Sequence, residues 1–126
     1  MLVKIEKVPV LGNDARRMTY AFSTRESGYF IFAHRKRGTK SACHYHKGLM
    51  KSKAPEILYV VSGEITLTVR DIETNEEEIF KVKEGSLVEI PIKIYHEVEA
   101  ETDAVMAEFV TTEDDFKNYK ADSFKL

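Results

Sequence analysis

The sequence is nearly devoid of cysteine. Cys43 is the single thiol among 126 residues, so no internal disulfide can form, and a reducing cytoplasm fits best. Long apolar runs are missing as well. No stretch of 18 or more apolar residues occurs, which argues against a spanning helix and a membrane role. The opening MLVKIEKVPVLGND interleaves Lys and Glu with apolar residues and lacks the continuous apolar stretch of a secretory signal. Repeats, low-complexity tracts and linkers are also absent. The expectation is one soluble domain over 1–126 with a single core. Acidic side chains are missing locally: no Asp or Glu lies from Ser27 to Pro55, a stretch that carries Arg35, Lys36, Arg37, Lys40, Lys47, Lys51 and Lys53. The net charge of −2 argues against general nucleic-acid binding. The basic stretch therefore reads as a solvated loop or as a rim that attracts an anionic small-molecule substrate.

What is present is a succession of short β-type runs between turn signals. Tyr29–Ala33, Glu56–Val61, Ile65–Val69, Glu78–Val82, Leu87–Ile90, His96–Glu99 and Ala104–Val110 are rich in β-branched and aromatic residues. Ser62-Gly63-Glu64 predicts a hairpin between the second and third runs. Asn13 to Arg17 reads as a turn or a short helical piece. Thr112 followed by Glu113, Asp114 and Asp115 predicts a capped C-terminal helix over 113–122. Phe30, Phe32, Leu58, Val60, Leu67, Val88, Ile90, Val98 and Met106 are the core candidates. This pattern predicts an all-β barrel or sandwich.

His44 and His46 stand two apart, so on a strand they share a face and can hold one ion together. Cys43 and Tyr45 take the opposite parity and should face away. Glu56 and His96 are the other candidates. The spacing Gly38, five residues, His44-x-His46, then Glu56, six residues, Gly63 resembles the first motif of the cupin superfamily. Gly85, five residues, Pro91-x-Lys93, two residues, His96 is similar to the second. The resemblance covers about 28–110 and implies a cupin double-stranded β-helix (a jelly-roll barrel). It also implies a divalent metal (Zn, Fe, Ni or Mn) held by His44, His46, Glu56 and His96. Imidazole and carboxylate suit such ions, and an open coordination position permits Lewis-acid chemistry.

Three positions depart from the pattern. Nine residues, Lys47 to Pro55, separate His46 from Glu56, where the family has three or four. Lys93 replaces a turn glycine, and Ala100 replaces an asparagine. Lys47, Arg35 and Tyr95 are candidate substrate contacts, weighed against a solvated lysine and a packing tyrosine; His34 reads as a rim residue.

The main functional expectation is a metal-dependent cupin enzyme of isomerase, dioxygenase or decarboxylase type. Shorter pieces, His-Tyr-His-Lys, Glu-Ile-Leu-Tyr-Val-Val-Ser-Gly-Glu and Phe-Lys-Asn-Tyr, resemble cupins that modify keto-deoxysugars on a nucleotide. That likeness implies metal-free acid–base chemistry by His44 or His46. A ligand-binding module without catalysis is the third reading. Small cupins commonly dimerise by exchanging an N-terminal strand, and Leu2, Val3, Ile5, Val8, Val10 and Leu11 suit that role in a homodimer.

Overall fold

A computed structural model describes residues 1–126. In chain order the strands are β1 (Lys4–Lys7), β2 (Val10–Asn13), β3 (Met18–Tyr20), β4 (Tyr29–Arg35), β5 (Lys40–His44), β6 (Glu56–Ser62), β7 (Glu64–Asp71), β8 (Glu77–Lys83), β9 (Ser86–Ile90), β10 (Ile94–Ala100) and β11 (Ala104–Val110). One helical turn, α1 (Glu113–Phe116), follows. A five-stranded sheet in the order β1-β9-β6-β11-β4 faces a four-stranded sheet in the order β5-β10-β7-β8. Both are antiparallel, and β2 and β3 form a separate small hairpin. This is the cupin double-stranded β-helix.

The core lies between the sheets. Leu58, Val60, Val88, Ile90 and Met106 from one side meet Ile65, Leu67, Val69, Val82, Ile94 and Val98 from the other. β7 and β10 bury alternate residues, as a sheet with one solvated face must. β6 departs from alternation because both of its faces are covered. Outside it, Ile57 packs with Val8 and Leu87, and Tyr20, Phe22, Tyr59 and Phe109 lie against them.

Three expectations are corrected. Phe30 and Phe32 are exposed (52% and 62%), not core. In β4 the register sets Ile31 opposite Glu108 and Ala33 opposite Met106, so the odd positions face inward. Phe30 instead meets Phe109 edge-to-face on the outside. Ser62-Gly63-Glu64 is not a hairpin turn, because β6 pairs with β9 and β11 whereas β7 pairs with β8 and β10. It is a corner that carries the chain between sheets. Gly63 sits there at φ +85°, where a Cβ would press on Asp103 O, Thr102 Oγ1 and Ala104 Cα. The C-terminal helix is a single turn; residues 117–122 continue only as turns. Its cap is the expected one, with Thr112 accepting from the Asp115 N–H.

β1 pairs with β9 of the same chain, so this barrel edge is covered without a borrowed strand. Val3 and Val8 are buried, whereas Val10 and Leu11 are exposed.

Candidate functional site

Three strands and one loop bring the histidines and the glutamate of the site together. His96 shares the inward face of β10 with Ile94 and Val98. Glu56 shares that of β6 with Leu58 and Val60. His44 ends β5 and pairs with His96. Just before it, Ala42 and Cys43 adopt positive φ (66° and 57°), and the register with β10 shifts there. The extra residue is a bulge, which re-aims the end of the strand. It leaves Cys43 half-buried with its thiol towards Ser41 O, away from the histidines.

The four residues singled out by spacing converge. His44, His46, Glu56 and His96 offer ligand atoms that all lie within 4.8 Å of one another. His46, Glu56 and His96 are buried. The His46 Nδ1–H donates to Asp122 O at 2.6 Å, and the His96 Nδ1–H to Ile94 O at 3.0 Å. Each ring thus turns its Nε2 inward, and neither Nε2 has a hydrogen-bond partner. They lie 3.3 Å and 3.5 Å from the two oxygens of Glu56. Acceptor faces acceptor across these gaps, so they are not hydrogen bonds while the rings are neutral. For His96, burial outweighs the pull of Glu56 and lowers the imidazole pKa. His44 is also lowered, to about 3, by burial and then by His96 and His46.

Sequence reasoning did not place three polar residues, Lys53, Glu108 and Tyr119, in the pocket. The 47–55 loop tucks in and delivers Lys53, which is only 2% exposed. Its ammonium is clasped by the carboxylates of Glu56 and Glu108. For Lys53, burial opposes the charge, but Glu56 and Glu108 outweigh it and raise the pKa. For Glu56, burial likewise loses, to Lys53 first, and the carboxyl is held well below its usual range. Glu108 takes the opposite shift: burial and neighbouring Glu56 raise it. Two acids share one ammonium, yet their carboxyl pKa values move in opposite directions, Glu56 down while burial and Glu56 push Glu108 up. The third, Tyr119, lines the pocket, 6.0 Å from His44 between ring centres. Its sequence signal was the Phe-Lys-Asn-Tyr tail.

Long-range contacts hold the loop. Asp115 accepts from Lys51 N, Ser52 N and Ser52 Oγ. Asp122 accepts from Lys47 N, Gly48 N and Met50 N. The Arg25 guanidinium donates to Ser52 O, Pro55 O and Phe109 O.

The other site candidates divide. Arg35 lines the pocket, and its buried Nε has no partner. Lys47 does not reach the pocket, because its ammonium lies over the Phe124 ring at 4.2 Å. Tyr95 is turned away too, its hydroxyl donating to Glu97. Lys93 adopts the left-handed turn conformation (φ +63°) of the glycine it replaces. The remaining pocket wall is Ser41 and the apolar Ile31, Ala33, Ala42, Leu58, Val98 and Met106.

The barrel has the cupin fold and gathers a histidine cluster inside it. The chain matches the polysaccharide biosynthesis C-terminal domain family over residues 13–124 and belongs to that family. No curated protein matches it. Its fold is similar to that of QdtA, a sugar 3,4-ketoisomerase from Thermoanaerobacterium thermosaccharolyticum solved with TDP. The TM-score is 0.69 at 13% identity, over 88% of this chain and 81% of that one. It is similar to the dTDP-6-deoxy-D-glucose-3,5-epimerase RmlC from Legionella pneumophila, solved with dTDP-4-keto-L-rhamnose. There the TM-score is 0.73 at 16% identity, over 98% and 72% of the two chains. For the 3'-monoepimerase ChmJ from Streptomyces bikiniensis, solved with dTDP-quinovose, the values are 0.70, 13%, 88% and 64%. At these identities the likeness is one of fold.

Proposed function

We propose that this protein moves a proton beside the ketone of a deoxysugar carried on a nucleotide diphosphate, as an isomerase or epimerase. The observation that carries the reading is His44: an imidazole kept neutral on the wall of a pocket whose buried ammonium, Lys53, lies nearby. Family membership and the fold neighbours support the substrate class. So does the lining, which sets an apolar wall for a deoxysugar methyl beside polar groups for hydroxyl and keto oxygens. Arg35 has an unspent donor for a phosphate.

In this reading the His44 imidazole takes the α-proton while the C–H electron pair moves onto the carbonyl oxygen and forms an enolate. A base held near 3 is weak in the empty pocket. The developing enolate supplies the negative charge that makes the imidazolium favourable, so proton uptake is coupled to the reaction. Lys53 has three N–H donors and spends two on Glu56 and Glu108. The third is available to the oxygen that gains charge. Return of the proton to the same carbon from the other face is epimerisation. Return to the neighbouring carbon is ketone migration.

The test is proton NMR of TDP-4-keto-6-deoxyglucose in deuterium oxide with chelator-treated protein. Loss of the α-proton signal supports the reading, and an unchanged spectrum refutes it.

A second reading is favoured by the two orphaned Nε2 atoms. His44, His46, Glu56 and His96 have the right donor types and span for a divalent ion. Such an ion would supply Lewis-acid polarisation of a substrate oxygen. The same imidazoles would then be unavailable as bases.

The homodimer expected from sequence is supported by the outward aromatic face, where Phe30 and Phe32 are exposed. Light scattering at twice the chain mass would support it, and a monomer at all concentrations would dismiss it.

A further inference from the structure

We propose that Lys53 is the resident cation of the pocket and that its fixed charge opposes a divalent ion at the histidine cluster. The inference goes beyond the proton-transfer reading, because it concerns the charge of the site whatever the substrate.

The chain inserts nine residues between His46 and Glu56, and the insertion folds inward. Its Lys53 reaches Glu56, the only anionic group among the four clustered donors. Glu108 grips the same ammonium from β11. A buried lysine is costly unless paired, and here it is paired twice. Glu56 therefore meets an incoming ion with its charge already answered. An ion bound to Glu56 would share that carboxylate with the ammonium, and like charges so close repel strongly at the low effective dielectric of a buried site. The loop is not loosely placed: Asp115, Asp122 and Arg25 fasten its backbone. Lys53 cannot simply swing into solvent.

A structural strut and a charge make different predictions. Lys53→Met removes the charge and keeps an unbranched side chain. Lys53→Arg keeps the charge. Isothermal titration with zinc and with manganese, on chelator-treated protein, should give Lys53→Met at least about tenfold tighter binding than wild type. Lys53→Arg should show no gain. Melting of Lys53→Met should rise with added ion, because the ion then replaces the missing counter-charge of Glu56 and Glu108. If Lys53→Met fails to fold, Lys53→Met combined with Glu108→Gln keeps the buried net charge at its original value and should show a smaller gain of the same sign, because Glu56 is freed while the more distant Glu108 charge is lost. Equal ion affinity in wild type and the charge-removed variants, or an equal gain in Lys53→Arg, overturns the proposal. These titrations use no sugar substrate, so their failure is distinct from failure of the exchange experiment.

Discussion

Asp122 holds His46 from behind: its carbonyl oxygen takes the ring Nδ1–H at 2.6 Å, which leaves Nε2 facing Glu56 at 3.3 Å. Its carboxylate meanwhile takes three backbone N–H groups of the 47–50 segment. One residue near the C-terminus thus sets both the tautomer of a site histidine and the path of the loop that carries Lys53.

Replacing Asp122 with Ala should therefore act on stability and on the site together. Three backbone donors lose their acceptor, at a combined cost on the order of 3 kcal/mol. A fall in Tm of roughly 10 °C is expected. Asp122→Asn keeps one acceptor oxygen and should lose about half as much. Calorimetry of the two variants checks the order, and an Ala variant that melts like wild type would contradict it.

The pH dependence of stability has a definite sign. In the unfolded chain a histidine takes a proton near pH 6.5. In the barrel His44 stays neutral down to about 3, chiefly because it is buried. His96 is shifted the same way. Between those limits the unfolded state binds more protons, so stability is full above about pH 6.5 and falls as pH drops towards 3. His44→Gln, which never titrates, should flatten part of that fall. Urea midpoints measured across this range check it; parallel curves for the two proteins would contradict the assignment.

The corner at Gly63 is a packing claim. Gly63→Ala meets both a left-handed backbone and Asp103 O, so it should cost on the order of 2–4 kcal/mol. Gly38 has a similar φ of +83° but open space around it, and Gly38→Ala should cost only about 1 kcal/mol. Denaturant unfolding of the pair separates clash from backbone strain.

The four converging site residues were legible because motif spacing survives folding, although β5 ends at His44 and the Asp122 carbonyl, not strand parity, orients His46. Lys53 was not legible. Its placement depends on Asp115 and Asp122, which lie more than sixty residues further along the chain and leave no local signal in the loop. The inward face of β4 was misread because Tyr29 to Ala33 is apolar at both parities. Pairing with β11, not composition, decides that Ile31 and Ala33 face the pocket. Ser62-Gly63 misled for a related reason. A glycine at positive φ serves a sheet-to-sheet corner as well as a hairpin, and only the partners of β6 and β7 distinguish them. Lys47 was placed by proximity to the histidines, but Phe124 captures its ammonium instead.

The central claim is that His44 acts as a base on carbon-bound hydrogen. The most direct measurement is the rate at which chelator-treated protein exchanges the α-hydrogen of a nucleotide-linked 4-keto-6-deoxysugar with solvent, for wild type beside His44→Gln. The account predicts exchange in the wild type and a loss of at least about a hundredfold in the variant, with nucleotide binding kept. Equal exchange rates in the two proteins, or exchange that appears only when a divalent ion is restored, would contradict it.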